Sequence, residues 1–143
     1  MQRTVAHILE HKGQDVWSVP GHISVLDALS MMADKNIGAL VVVDDGVLIG
    51  IVSERDYARK VVLRGKESRG TPVSEIMTPD PVTVTPTETV GGCMAFMTDN
   101  RFRHLPVVED GVLLGVISIG DVVGAVIEEQ KFLIEQLEGY IRG

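Results

Sequence analysis

Residues 16–62 lie on residues 81–127 without a gap, with about 15 identities over the aligned stretch. A repeat at a fixed offset constrains the fold more than any other feature here. Each copy is too short to bury a sizeable core alone, so two copies must complete one another. The best-matched run is Val42-Val43-Asp44-Asp45-Gly46-Val47-Leu48-Ile49-Gly50 against Val107-Val108-Glu109-Asp110-Gly111-Val112-Leu113-Leu114-Gly115. Val19/Val84, Val25/Val90, Met32/Met97, Asp34/Asp99 and Leu40/Leu105 match outside it.

Each copy reads as the same series of elements. Val16–Val19 and Val82–Val84 predict short first strands. Ser24 is placed to cap a helix, with Asp27 three residues on, and Val25, Leu29, Met32 and Ala33 recur at helical spacing. Strands over Ala39–Val43 and Val47–Val52 flank Asp45-Gly46, a strong two-residue hairpin signal that Asp110-Gly111 repeats. A second helix follows Asp56. Thr4–Leu9 reads as a short lead-in helix, echoed by Pro72–Met77 with Pro72 suited to a first turn.

The expected fold class is α/β (α+β-like), with two β-α-β-β-α repeats at 3–63 and 72–127. A polar linker joins them at 64–71, and a helical extension follows at 128–143. The two sheets are expected to pack face to face about a pseudo-twofold axis, with paired clefts at strand ends and helix starts. In the tail from Val122 to Ile141, Val123, Val126, Ile127, Leu133, Ile134, Leu137 and Ile141 form an apolar band. Packing on its own sheet and pairing with a partner helix account for it equally well. Gly91-Gly92, in a first helical turn, costs up to about 1 kcal/mol per glycine relative to alanine. Close approach of a neighbour or ligand is one explanation, and the sequence offers no firmer one.

A chain of 143 residues with 45% apolar content makes one domain, or two small ones sharing a core. The net charge of −7 argues against gripping nucleic acid or an anionic membrane. It leaves room for a small phosphate ligand, because local arginines dominate within a Debye length of about 8–10 Å. Cys93, the single cysteine, excludes an internal disulfide and suits a reducing cytoplasm. Its neighbours Met94, Phe96 and Met97 mark it as a buried structural thiol. With no apolar run of signal-peptide or membrane-spanning length, a soluble, non-exported protein is expected.

His7, His11 and His22 read as scattered surface or lead-in residues, and no metal site is expected. The chain lacks a nucleophile elbow, a P-loop and paired carboxylates in an apolar setting, so an enzyme is not expected either. Asp44-Asp45 and Glu109-Asp110 read as exposed turn residues. Trp17 serves equally as core residue or stacking platform.

The stretches Gly50-Ile51-Val52-Ser53-Glu54-Arg55-Asp56 and Gly115-Val116-Ile117-Ser118-Ile119-Gly120-Asp121 carry the chemistry. Each runs from a strand into a helix, with a hydroxyl followed three residues later by a carboxylate. Helix capping explains this pattern, since such side chains satisfy free first-turn N–H groups. A nucleotide site explains it too: N–H groups and a hydroxyl favour phosphate, while a carboxylate accepts from two ribose hydroxyls. For one copy alone capping is the simpler reading, and a copied cap is still a cap.

Taken together, the residues resemble a tandem pair of cystathionine β-synthase (CBS) domains of the stand-alone, bacterial type. Met77-Thr78-Pro79, the Asp-Gly hairpins, Gly-x-x-Ser-x-x-Asp in both copies and Arg103-His104-Leu105-Pro106-Val107-Val108 carry the resemblance, over roughly residues 3–127. It implies disc-shaped dimers that bind adenine nucleotides in two clefts and act as sensors. Asp56 and Asp121 would hold ribose hydroxyls, with Ser53 and Ser118 beside the phosphate. Ile51, Val116, Ile37 and Phe102 would border the adenine, and backbone near Gly38, Ala39 and Thr78 would read its edge. The Asp121 cleft would also take wall from Asp15, Trp17 and Ile37, and the Asp56 cleft from Thr78, Val82 and Phe102.

The phosphate partners differ between copies: Arg55 precedes Asp56 where the second copy has Gly120, and Arg103 and His104 stand where the first has Gly38 and Ala39. Arg55 and Arg103 are the expected phosphate contacts. The expected function is a regulatory binder of AMP, with ADP, ATP and NAD(H) as further candidates and no catalytic cofactor. It would form a homodimer and signal to a downstream protein. The alternative is a ligand-free interaction module.

Overall fold

The computed structural model describes residues 2–13 and 15–142. The chain divides into two compact units, residues 16–82 and residues 1–15 with 83–143. These are not the two sequence repeats. Each unit holds the body of one repeat together with the lead-in of the other.

The unit of residues 16–82 contains β1 (Ser18–Val19), α2 (Val25–Lys35), β2 (Ala39–Asp44), β3 (Val47–Ser53), α3 (Glu54–Tyr57) running into a π-helical turn (Ala58–Val62), a 3-10 turn (Val73–Glu75) and β4 (Thr78–Pro79). Its sheet order is β1-β2-β3-β4, with β1 parallel to β2 and the other pairs antiparallel. The other unit contains α1 (Val5–Lys12), α4 (Val90–Asn100), β5 (His104–Glu109), β6 (Val112–Ser118) and α5 (Ile119–Arg142) around the antiparallel β5–β6 hairpin.

The duplicated sequence builds duplicated cores. Val25/Val90, Ala28/Cys93, Met32/Met97, Leu40/Leu105, Val42/Val107 and Val52/Ile117 are all buried at matching positions. Val73 and Ile76, from the lead-in of the second repeat, complete the first of these cores; Val5 and Ile8, from the lead-in of the first repeat, complete the second. The residues before each lead-in also cap the facing helix. Val25 N–H donates to Thr71 O (2.9 Å) and Leu26 N–H to Ser68 O (3.0 Å), while Val90 N–H donates to Arg3 O (2.9 Å). Free N–H groups of a first turn are thereby satisfied by main chain. The polar segment 64–71 is accordingly held against α2, not a loose tether.

Both hairpins turn as expected. Asp45 and Gly46 take φ of 51° and 76°, and Asp110 and Gly111 take 51° and 77°, the doubly positive pair of a type I′ turn. Each hairpin also carries a bulge at the same place, between Val42 and Val43 and between Val107 and Val108. Ser24 accepts from Asp27 N–H as predicted. On α2, Ala28 is buried and Ala33 is exposed, so the buried face is rotated from the expected one.

The expected strand at Val82–Val84 reduces to a single parallel bridge, Val84 with Val107. In the first repeat β1 pairs Ser18 with Val41 and Val19 with Val42. The residue matching Val41 is Pro106, which has no N–H to give a second rung. The lead-in at 72–77 is a 3-10 turn, not a full helix.

Helix α5 runs for 24 residues, about 36 Å. Only Val122 and Ala125 are buried, and Val126 packs partly on the core. Val123, Ile127, Leu133, Ile134, Leu137 and Ile141 are exposed. Gly91 has nothing within 4 Å of where a Cβ would sit, so no neighbour in the chain demands glycine there. No described helix is long and apolar enough to cross a membrane.

Candidate functional site

Ser53 ends β3 and caps α3 with its own side chain. Its Oγ accepts from Asp56 N–H (3.2 Å), and Asp56 Oδ2 accepts from Ser53 N–H (2.9 Å) and Ser53 Oγ–H (3.1 Å). This is a complete capping box. Ser118 and Asp121 repeat it: Asp121 N–H donates to Ser118 Oγ (3.1 Å) and Ser118 N–H to Asp121 Oδ2 (2.8 Å). The two turns therefore hold both carboxylates rigidly, and capping alone accounts for the Ser-x-x-Asp spacing.

Each carboxylate also has a lysine partner that the sequence reading missed. Lys60 Nζ lies 3.1 Å from Asp56 Oδ1 and donates to Ile76 O (2.9 Å). Lys12 Nζ, on α1, donates to Asp121 Oδ2 (2.7 Å) and Val116 O (2.8 Å). Lys60 was legible, four residues after Asp56 on the same helical run; Lys12, far away in sequence, left no signal. Burial pushes the Asp121 carboxyl upward, but hydrogen bonds from Lys12 and Ser118 and the lysine charge outweigh it and hold the group below the usual carboxylate range. Lys12 Nζ and Ser118 N–H both donate to Oδ2, and the Ser118 side chain adds a further hydrogen bond to the group. Asp121 and Gly120 line a hollow of about 310 Å³ that Lys12, His7, His11 and Glu128 also border.

The remaining candidates fall into two groups. In the unit with Asp56, Ala39 pairs with Ser53 and Ile51 with Thr78, while Gly38 O accepts from Glu54 N–H (3.0 Å). One end of the four-stranded sheet thus gathers Ser53, Asp56, Gly38, Ala39, Ile51 and Thr78. Ile37 packs partly on this unit's own core. Arg55 and Val82 are exposed. Trp17 is exposed rather than core, and Lys35 Nζ stands 4.1 Å from its ring centroid.

In the unit with Asp121, His104 pairs with Ser118 and Val116 with Pro106, and Arg103 O accepts from Ile119 N–H (2.8 Å). Phe102 leans on Phe96 at 5.7 Å and packs partly on the core. Asp15 and Arg103 are exposed. Neither Arg55 nor Arg103 forms an ion pair among the described residues.

The glycine that opens each motif has a role the sequence did not reveal. A Cβ on Gly50 would overlap Met77 Sδ and stand 3.0 Å from Thr78 O; one on Gly115 would stand 2.9 Å from Leu9 Cδ2. In both units the exchanged lead-in presses on the strand at its glycine. His7 and His11, read from sequence as scattered, are four residues apart on α1, and their rings meet edge to face with centroids 4.4 Å apart. That spacing is present in the sequence.

Two α/β units with matched cores, matched hairpins and matched Ser-x-x-Asp caps define a duplicated module whose conserved geometry sits at the strand-to-helix turns. The chain belongs to the CBS domain family, whose model matches residues 5–63 and 73–128. It is 41% identical to the CBS domain-containing protein CBSX3, mitochondrial, of Arabidopsis thaliana, over 98% of this chain and 72% of that one. Among solved structures it resembles a Burkholderia ambifaria protein with CBS domains, provisionally described as a signal-transduction protein, at 50% identity and a TM-score of 0.85, covering 89% of this chain and 96% of that one. It also resembles a CBS domain pair solved in complex with 5′-methylthioadenosine and S-adenosyl-L-methionine, at 25% identity and a TM-score of 0.79, covering 90% and 99%.

Proposed function

We propose that this chain is a regulatory module that binds an adenine nucleotide, AMP first among ADP, ATP and NAD(H), at its Ser-x-x-Asp turns. The observation that carries the reading is the state of Asp121. It is ionised, fixed by Ser118 and Lys12, and bordered by a hollow from which a ribose hydroxyl can approach it. Asp56, capped by Ser53 in the same way but with Lys60 on Oδ1, is the matching carboxylate in the other unit. Ser53 and Ser118 stand at helix starts, where the helix dipole favours phosphate, and the exposed Arg55 and Arg103 supply cations that form no ion pair with a described residue. The relative that holds adenosyl ligands supports the adenine part of the assignment.

Binding biases the packing of the chain, and a protein partner reads the change; the role is regulatory, not catalytic. The long exposed apolar band of α5 supports a homodimer. The buried unpaired Cys93 suits a reducing cytoplasm. The test is thermal denaturation of ligand-free protein with AMP. At 100 times its dissociation constant AMP adds about 2.7 kcal/mol, which raises Tm by several degrees. No shift with any adenylate refutes the proposal.

One observation favours a second reading. Both carboxylates are already satisfied as caps and ion pairs, as they would be in a ligand-free interaction module. Under that reading Asp56→Asn and Asp121→Asn alter stability and no nucleotide affinity.

A further inference from the structure

We infer that His7, His11 and Glu128 form a binding site for a divalent transition-metal ion of the zinc type. His7 and His11 sit one turn apart on α1, so their side chains share a face. Glu128 comes from α5, and one donor atom from each residue lies within 4.8 Å of the other two. A tetrahedral ion with bonds of about 2.0–2.1 Å needs donors roughly 3.3 Å apart. Closing the cluster thus takes a movement of about 1.5 Å at most, which the exposed ends of His11 and Glu128 allow.

His7 supplies the observation that ties these groups to a ligand. Its Nε2 is buried and has no hydrogen-bond partner among the described residues, and Glu128 Oε2, at 3.7 Å, is beyond hydrogen-bond reach. A buried ring nitrogen without a partner is costly, and a metal ion satisfies it. Arg3 Nη1 also pairs with the Glu128 carboxylate. It meets the same Oε2 that faces His7; a carboxylate oxygen has two lone pairs, so Arg3 orients the group and Oε2 keeps an acceptor position for the ion. Two imidazoles and one carboxylate suit zinc and its neighbours rather than magnesium or calcium. The hollow that these residues share with Lys12 and Asp121 leaves the fourth position to water or an incoming ligand. A bound ion ties α1 to α5 and fixes Lys12, the residue after His11, beside Asp121.

The test is calorimetric titration of zinc chloride into chelator-treated, full-length protein, with circular dichroism to confirm that each variant folds. The expected result is one ion per chain. His7→Gln and His11→Ala each weaken binding at least about 100-fold, Glu128→Gln weakens it at least about tenfold, and His22→Ala, remote in sequence and in the other unit, leaves it unchanged. Cobalt(II) gives a visible absorption band that His11→Ala abolishes, a readout that a purely structural role for His11 would not move. Zinc binding unchanged in His11→Ala, or lost equally in His22→Ala, overturns the site; binding unchanged in Glu128→Gln overturns the three-ligand assignment.

Discussion

Gly50→Ala tests the exchange of lead-ins between repeats. The new methyl group would overlap Met77 Sδ and stand 2.9 Å from Met77 Cγ and 3.0 Å from Thr78 O. The methionine side chain can swing aside. Thr78 cannot, because β4 is paired to β3 through Gly50 with Pro79 and Ile51 with Thr78. Overpacking of this kind costs about 1–3 kcal/mol, and the fixed main-chain atom puts Gly50 in the upper half. Alanine returns about 0.5–1 kcal/mol over glycine in a strand, for a net loss of about 1–2.5 kcal/mol. An unfolding entropy of about 2.1 cal/mol/K per residue gives roughly 0.3 kcal/mol/K for this chain, so Tm falls by about 3–8 °C. Gly115→Ala meets only Leu9 Cδ2, the end of a flexible side chain, and costs about 1 kcal/mol or less, about 3 °C. Scanning calorimetry measures both. A Gly115→Ala loss equal to or larger than that of Gly50→Ala, or no change in either, refutes the reasoning.

Gly91→Ala meets open space in a first helical turn, so it raises stability by up to about 1 kcal/mol, read as a Tm increase of up to about 3 °C. Lys12→Met removes the ammonium from Asp121 and Val116 O and costs about 1 kcal/mol at neutral pH by urea denaturation. Because the folded Asp121 carboxyl lies below its unfolded value, its contribution is full above the usual carboxylate range and is lost as pH falls through the folded value; Lys12→Met flattens that acid-side loss. Burial, and secondarily the charge of Glu88, push the Cys93 thiol up, so it resists thiol reagents near neutral pH until the protein unfolds. Cys93→Ala, which copies Ala28 of the first repeat, leaves the fold intact.

The features legible in the sequence were local ones. Asp-Gly turns, Ser24 and Ser53 caps and the matched apolar positions depend on neighbours within a few residues, and the duplication displayed each of them twice. The exchange of lead-ins was hidden, because Val5 and Ile8 are as apolar as Val73 and Ile76 and nothing in either segment names the core it enters. Pro106 was visible, but its consequence for Val84 depends on which strand faces it. The Ser-x-x-Asp turns were found by pattern, whereas Lys12 reaches Asp121 only through the tertiary fold. Ala33 faces out because helix rotation follows the whole core, which Ala28 enters instead. For His7 and His11 the spacing was in plain view, and the buried, unpaired nitrogen that gives it meaning required the structure.

Calorimetric titration of AMP into nucleotide-stripped protein, alongside Asp56→Asn and Asp121→Asn, addresses the sensor assignment most directly. The account predicts saturable binding by the native chain and a loss of about tenfold or more in affinity in at least one variant, with each variant still folded. AMP affinity identical in all three proteins, or no binding by the native chain, would contradict it.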